Sequence, residues 1–65
     1  MRVIVNQTEY EIPASSKVSD VLSLLNAKLP YAVAVNLNFV PKIEHAHHLL
    51  QENDQIEIIA PVTGG

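Results

Sequence analysis

The sequence predicts an α+β roll, with one main helix across one face of a mixed sheet of four to five strands. Short alternating or β-branched runs stand near both ends of the chain, and a stripe of apolar residues at helical spacing lies between them. The chain has 65 residues and no cysteine. Its core must therefore be built from apolar side chains, without disulfides.

The first two strands are predicted to form a hairpin. Residues 2–6 (RVIVN) and 9–12 (EYEI) have the composition and alternation of strands, and the polar Gln7 and Thr8 separate them. Pro13 ends the second run, because proline has no amide hydrogen to donate to a neighbouring strand. We expect this hairpin to open the sheet.

A helix is expected next, with Ser16 as its N-cap and Asp20 in the first turn, where the helix dipole favours an anion. The apolar residues at positions i, i+3, i+4 and i+7 would form one stripe that covers the sheet: Val18, Val21, Leu22 and Leu25. Pro30 disfavours helical backbone at Leu29, so we expect the helix to end before it.

Residues 31–36 (YAVAVN) predict a third strand, with its alanines on one face and its valines on the other. A turn is expected over 36–38, followed by a short strand at Phe39 and Val40. The stretch 42–50 has a mixed pattern, for which we expect one helical turn or a loop.

The last strand is predicted over residues 55–60 (QIEIIA), with Ile56 and Ile58 directed inward and Glu57 outward. Asn53, in the turn before this strand, is the best candidate for left-handed backbone, because Asn tolerates that conformation best among the residues other than glycine. The predicted elements form one domain over residues 1–60, and 61–65 are expected to be a flexible tail.

Composition argues against several functional classes. The net charge is -3 and the four cationic residues are scattered, whereas a nucleic-acid-binding protein needs a clustered basic face. The sequence has neither the pattern of a signal peptide at its start nor an apolar run of about 20 residues, which a membrane span requires. We therefore expect a cytoplasmic protein that contacts neither nucleic acid nor membrane.

Intrinsic catalysis and metal binding are not expected. The carboxylates do not pair at spacings typical of general acid-base work, and no serine is visibly linked to a histidine and an aspartate. His45, His47 and His48 are clustered, but no cysteine or carboxylate completes a metal motif. A solvated or pH-sensitive turn is the simpler interpretation of this segment.

The candidate functional group is the terminal carboxylate of Gly65. Gly64 and Gly65 are the only glycines of the chain, and without a Cβ they can enter a narrow active site. A five-residue tail reaches roughly 17 Å, with Pro61, Val62 and Thr63 as a spacer that the partner would contact. The alternative is that the two glycines are merely a frayed end.

A carboxylate is a poor acyl electrophile while it is ionised, as it is in the cytosol. It therefore needs activation, for which an acyl-adenylate made from ATP is the reasonable route. The chain has no glycine-rich phosphate-binding loop, so a partner would carry out this step. Attack by sulfur on the adenylate would leave a terminal thiocarboxylate.

A docking face is expected on the side of the sheet opposite the helix. If Val3 and Ile56 face the helix, alternation sends Ile4 and Ile59 to the other face, alongside Phe39. An exposed apolar patch of this kind often binds a protein partner, although ordinary surface is an equal alternative. Replacing Ile4 or Ile59 with Glu should weaken docking and leave the fold intact.

Four segments carry a resemblance to a known family: KVSDVLSLL, AVAVNLNFVPK, NDQIEI and the ending IEIIAPVTGG. Together, in this order and spacing, they resemble the thiamin-biosynthesis sulfur-carrier family, ThiS. The resemblance implies a ubiquitin-like β-grasp fold and adenylation at Gly65 by an E1-like enzyme. It also implies a sulfur-donor protein and a thiazole synthase, which uses the thiocarboxylate to build the thiazole ring. ATP and magnesium would belong to the adenylating enzyme, and the carrier would bind no cofactor.

Two positions differ from many relatives: Asn53 stands in place of a glycine, and His45 in place of an aromatic residue. The ending PVTGG also resembles the small subunit of molybdopterin synthase, but that family is usually longer. Two alternatives come from other classes. One is a ubiquitin-like modifier joined to lysine amines, and the other is an interaction module with an inert tail.

Overall fold

A computed structural model describes residues 1–27 and 31–59, which contain one mixed sheet and one α-helix. The elements in chain order are β1 (Arg2–Val5), β2 (Thr8–Glu11), α1 (Val18–Leu24), β3 (Ala32–Val35), β4 (Asn38–Val40), a 3-10 turn (Lys42–Glu44) and β5 (Gln55–Ile59). The strand order is β2-β1-β5-β3-β4, with β1 and β5 parallel and the other neighbours antiparallel. The predicted α+β roll is confirmed.

Both hairpins close through two-residue turns with left-handed backbone. The β1–β2 turn is formed by Asn6 (φ 48°) and Gln7 (φ 71°), one residue earlier than predicted. The β3–β4 turn is formed by Asn36 (φ 51°) and Leu37 (φ 71°). Paired positive φ values give a turn the twist of the strands that it joins. Each turn therefore begins with an asparagine whose side chain remains available for bonding.

The helix begins differently from the prediction. The Ser16 hydroxyl donates to the Pro13 carbonyl at 2.7 Å and does not cap the helix. Instead, the Asp20 carboxylate accepts from the Lys17 amide at 2.8 Å, so Lys17 occupies the N-cap position. The helix ends at Leu24, before Pro30 as predicted, and Asn26 after it is left-handed with φ 53°, a conformation common at helix ends. Residues 28–30 lie outside the described residues.

The core lies between α1 and one face of the sheet. The predicted helical stripe is confirmed: three of its residues are buried and the last packs against the core. The alternation predicted for the strands also holds, since Ile56 is buried and Glu57 exposed, while Ile58 is partly buried. The buried apolar residues are Val3, Val5, Ile12, Val18, Val21, Leu22, Val33, Val35, Val40, Leu50 and Ile56.

The connection from β4 to β5 contains the predicted helical turn, and its first histidine is buried. His45 is 7% exposed, stacks on Tyr31 with ring centroids 6.1 Å apart, and places Nε2 3.1 Å from the Val40 carbonyl oxygen. The expectation of a solvated segment is therefore wrong for His45, although His47 is exposed. The imidazole packs as an aromatic ring would at this position.

The turn before β5 is tied to the first strand. Asn53 has φ 69°, which confirms the predicted left-handed backbone. Its amide donates to the Arg2 carbonyl at 2.7 Å, and the Arg2 guanidinium donates to its side-chain oxygen at 2.9 Å. The start of β5 is thus fixed relative to β1. Among the described residues, no helix is long and apolar enough to cross a membrane.

Candidate functional site: the base of the tail and the open face

The candidate site is built around the end of β5, where the described part of the chain stops at Ile59. Ala60, the last residue of the predicted strand, lies outside the described residues. So do all residues of the predicted tail, for which the expectations made from the sequence stand as predictions: Pro61, Val62, Thr63, Gly64 and Gly65. What the structure describes is the surface from which this tail begins.

β5 is the central strand of the sheet. It pairs in parallel with β1 and antiparallel with β3, where Ile59 lies opposite Ala32 and Ile58 opposite Val33. Because a central strand has bonding partners on both sides, its position is better determined than that of an edge strand. The tail therefore follows the central strand of the described sheet.

The face of the sheet opposite α1, which we call the open face, carries exposed apolar side chains. Ile59 is 54% exposed and Phe39 68% exposed, on either side of Ala32 and Ala34. Ile59 pairs with Ala32, and Phe39 pairs with Ala34, so these four residues are continuous across β5, β3 and β4. We call them the apolar strip.

The apolar strip contains two of the three residues predicted for docking, Phe39 and Ile59. Ile4 pairs with Gln55, four positions before Ile59, so it lies about 13 Å from Ile59 along β5. The exposed side chain of Glu57 projects from the same face between them. Phe39 and Ile59 thus belong to one surface, and Ile4 lies beyond an acidic residue.

Carboxylates lie on the same face as the apolar strip. Glu9, Glu11 and Glu57 are exposed, which confirms the outward direction predicted for Glu57. Glu9 lies 3.5 Å from the Arg2 guanidinium, and Glu11 lies 3.8 Å from the N-terminal amine. Exposed pairs of this kind contribute little to stability. The face therefore combines the apolar strip with exposed carboxylates, which suits a partner surface that carries basic groups.

The histidine segment contributes no metal-binding geometry in the described residues. Across positions 1–27 and 31–59, no three side chains among His, Cys, Asp and Glu are grouped as metal ligands. His45 is held by its stacking on Tyr31 and by the Val40 carbonyl. Its surroundings are those of a packed core residue.

Comparison with known proteins identifies the family. The model of the ThiS family matches residues 2–65, nearly the whole chain. The chain belongs to the ThiS family. This confirms the resemblance drawn from the sequence.

ThiS relatives extend the comparison to a named protein and a solved structure. The "Sulfur carrier protein ThiS" of Escherichia coli (strain K12) is 29% identical over 66 residues, with all of both chains covered. The crystal structure of the thiamine biosynthesis protein ThiS from Geobacter metallireducens superposes with a TM-score of 0.84 at 20% identity, and again all of both chains is covered. The predicted β-grasp fold is confirmed by this structural match. ThiS sulfur carriers are not enzymes, in agreement with the prediction of no intrinsic catalysis.

Two features of the site were not predicted from the sequence. Ala32 and Ala34 form the floor between Phe39 and Ile59, and Asn6 bonds to the last strand through its side chain. The alanines could have been assigned to the docking face from the alternation of the third strand. The role of Asn6 depends on a pairing between residues far apart in the chain.

Proposed function

We propose that this ThiS-family chain is a sulfur carrier of thiamin biosynthesis that holds sulfur as a thiocarboxylate at Gly65. The observation that supports it most is the family match over residues 2–65, since it includes the terminal glycine pair. Neither the sequence nor the described part of the structure offers a catalytic group. In this proposal the chain therefore serves as a protein co-substrate. The cytosol is its expected compartment.

The chemistry takes place at the terminal carboxyl group of Gly65. A carboxylate oxygen of Gly65 attacks the α-phosphorus of ATP, pyrophosphate leaves, and an acyl-adenylate forms. Hydrosulfide that a sulfur-donor protein has released then adds to the acyl carbon and expels AMP, which leaves the thiocarboxylate and one proton. ATP and magnesium bind to the E1-like adenylating enzyme, where the cation offsets phosphate charge. This chain binds no cofactor in the proposal.

The tail delivers the reacting group. Gly64 and Gly65 have no side chains, so they fit a narrow passage to the partner's nucleotide site. Pro61, Val62 and Thr63 form the spacer that the partner contacts. The spacer and glycines together reach roughly 17 Å, enough to enter an active site from the edge of the folded domain.

Docking of the folded domain uses the apolar strip and the surrounding carboxylates. Phe39 and Ile59 are large and exposed on one face. Ile59 is the last residue of β5 and Phe39 lies two strands away, so a partner that covers both also lies beside the strand from which the tail continues. The adenylating enzyme and the thiazole synthase would use this face in turn. Sequential use of one face makes their binding mutually exclusive.

Two alternatives share the activation step and differ in the acceptor. A molybdopterin-synthase small subunit would donate its sulfur to a pterin, and a ubiquitin-like modifier would form an isopeptide bond with lysine. Both relatives described above carry the name ThiS, and the Geobacter protein is named as a thiamine biosynthesis protein. These names support the thiamin pathway.

The test is deletion of Gly65 in a reconstituted reaction. We expect ATP-pyrophosphate exchange by the adenylating enzyme to be lost, because the remaining Gly64 carboxylate ends about 3.5 Å short of the α-phosphate. Binding of the folded domain to the same enzyme should remain within about threefold of the full chain, since the docking face is intact. If exchange survives the deletion, Gly65 is not the activated residue and the carrier proposal is wrong.

A further inference from the structure

The side chain of Asn6 extends the hydrogen bonding between β1 and β5 past the residue at which the backbone of β1 turns away from β5. Along this parallel pair, the Ile4 amide donates to the Asp54 carbonyl at 2.9 Å, and the Asn6 amide donates to the Ile56 carbonyl at 2.9 Å. A regular ladder would continue to Ile58. The backbone of Asn6 instead turns into the hairpin with φ 48°.

The amide group of Asn6 replaces the missing peptide unit. Its Oδ1 accepts from the Ile58 amide at 2.9 Å, and its Nδ2 donates to the Ile58 carbonyl at 3.3 Å. A carboxamide has the same donor and acceptor as a peptide bond, so it can satisfy both groups of one strand residue. Ile58 is thereby held on the β1 side, one residue before the end of the described chain.

The second hairpin has the same device at the opposite end of β5. Asn36 also opens its turn, with φ 51°, and its Oδ1 accepts from the Gln55 amide at 3.0 Å. Its Nδ2 donates to Asp54 Oδ1 at 3.0 Å. Each asparagine thus makes two side-chain bonds near one end of β5: those of Asn6 go to the backbone of Ile58, and those of Asn36 go to the Gln55 amide and the Asp54 side chain. The bonds of Asn36 therefore lie at the start of β5, and those of Asn6 lie near its end, at Ile58.

We propose that Asn6 is a positioning residue for activation of the tail, an inference that rests on the proposed function. By holding Ile58, it fixes the point from which the tail leaves the sheet. If the end of β5 were frayed, more backbone residues would have to become ordered each time the tail enters the partner's active site. Ordering one more backbone residue weakens productive binding by about fivefold to thirtyfold.

The experiment compares Asn6→Gly with Asn36→Gly, because glycine keeps the left-handed turn and removes the amide. Both variants lose two side-chain hydrogen bonds. With the adenylating enzyme, we expect Asn6→Gly to raise the KM for the carrier about fivefold to thirtyfold, with kcat changed less than about twofold. Asn36→Gly should leave both parameters within about twofold of the unmodified carrier.

Amide hydrogen exchange provides the second readout. Asn6→Gly should speed amide exchange at Ile58 at least about tenfold, because the Ile58 amide loses its acceptor. Asn36→Gly should instead speed amide exchange at Gln55. Equal KM values for the two glycine variants would overturn the positioning role alone. Failure of the unmodified carrier to be activated would overturn the proposed function, and this inference with it.

Discussion

Two isoleucines of β5 show how the two faces of the sheet differ. Ile56 and Ile59 have the same side chain and lie three residues apart, so alternation directs them to opposite faces. Ile56 is 1% exposed beneath α1, whereas Ile59 is 54% exposed on the open face. The sequence pattern of a strand assigns a side chain to a face, but the neighbouring elements decide whether that face is covered.

The covered face and the open face therefore have different roles: the first stabilises the fold, and the second is available for binding a partner. The covered face holds the branched side chains that build the core, and a chain of this size has little apolar surface to bury elsewhere. The open face keeps Phe39 and Ile59 accessible, and Ile59 is the last residue of β5. A partner can therefore bind the open face without any rearrangement of the core.

Replacing each isoleucine with alanine should give the largest contrast. We expect Ile56→Ala to lower the free energy of unfolding by about 2–5 kcal/mol, because it removes buried contacts and leaves a cavity. Ile59→Ala should lower it by less than about 1 kcal/mol, since half of that side chain is already exposed. Urea denaturation followed by circular dichroism measures both values.

Comparable losses for the two alanine variants would contradict the assignment of the faces. A domain of this size has a total stability of only about 5–15 kcal/mol, so Ile56→Ala is measured at low temperature and alongside the unmodified chain. The slope of the denaturation curve checks that both variants unfold from the same compact state.

A charged substitution on the open face should affect binding without affecting folding. Ile59→Glu is expected to weaken binding to the adenylating enzyme about tenfold or more, because an unpaired carboxylate would be buried at the interface. Ile43→Glu is the matched control: Ile43 is 83% exposed and lies in the 3-10 turn, outside the sheet. Its affinity should stay within about twofold of the unmodified chain.

Titration calorimetry with the intact carrier gives both affinities. If both glutamate variants bind as tightly as the unmodified carrier, the apolar strip takes no part in docking. An equal loss for both would show that the partner also covers the connection between β4 and β5. Either result would leave the role of Gly65 unaffected, because the tail lies outside the substitutions.

Local patterns were sufficient for most elements of the fold. Alternation predicted that the alanines and valines of the third strand lie on opposite faces, and the backbone tolerance of Asn predicted the left-handed turn at Asn53. The helix ends before Pro30, as predicted, and the left-handed backbone of Asn26 lies four residues ahead of that proline. Ser16 was expected to cap the helix, but Asp20 binds the Lys17 amide and the hydroxyl of Ser16 bonds elsewhere.

The candidate site was predictable only in part, since it depends on register between distant strands. The tail could be singled out because its glycines are the only ones in the chain. The separation of Ile4 from Ile59 follows from the parallel register of β1 and β5, which no local pattern specifies. The burial of His45 likewise depends on Tyr31, fourteen positions before it in the chain.

The most direct test is the intact mass of the carrier after incubation with the adenylating enzyme, ATP and a sulfur donor, followed by fragmentation of its last residues. We predict an ATP-dependent increase of about 16 Da confined to Gly65, because one carboxylate oxygen is replaced by sulfur. An unchanged terminal acid, or the carrier joined to lysine of another protein, would contradict the account.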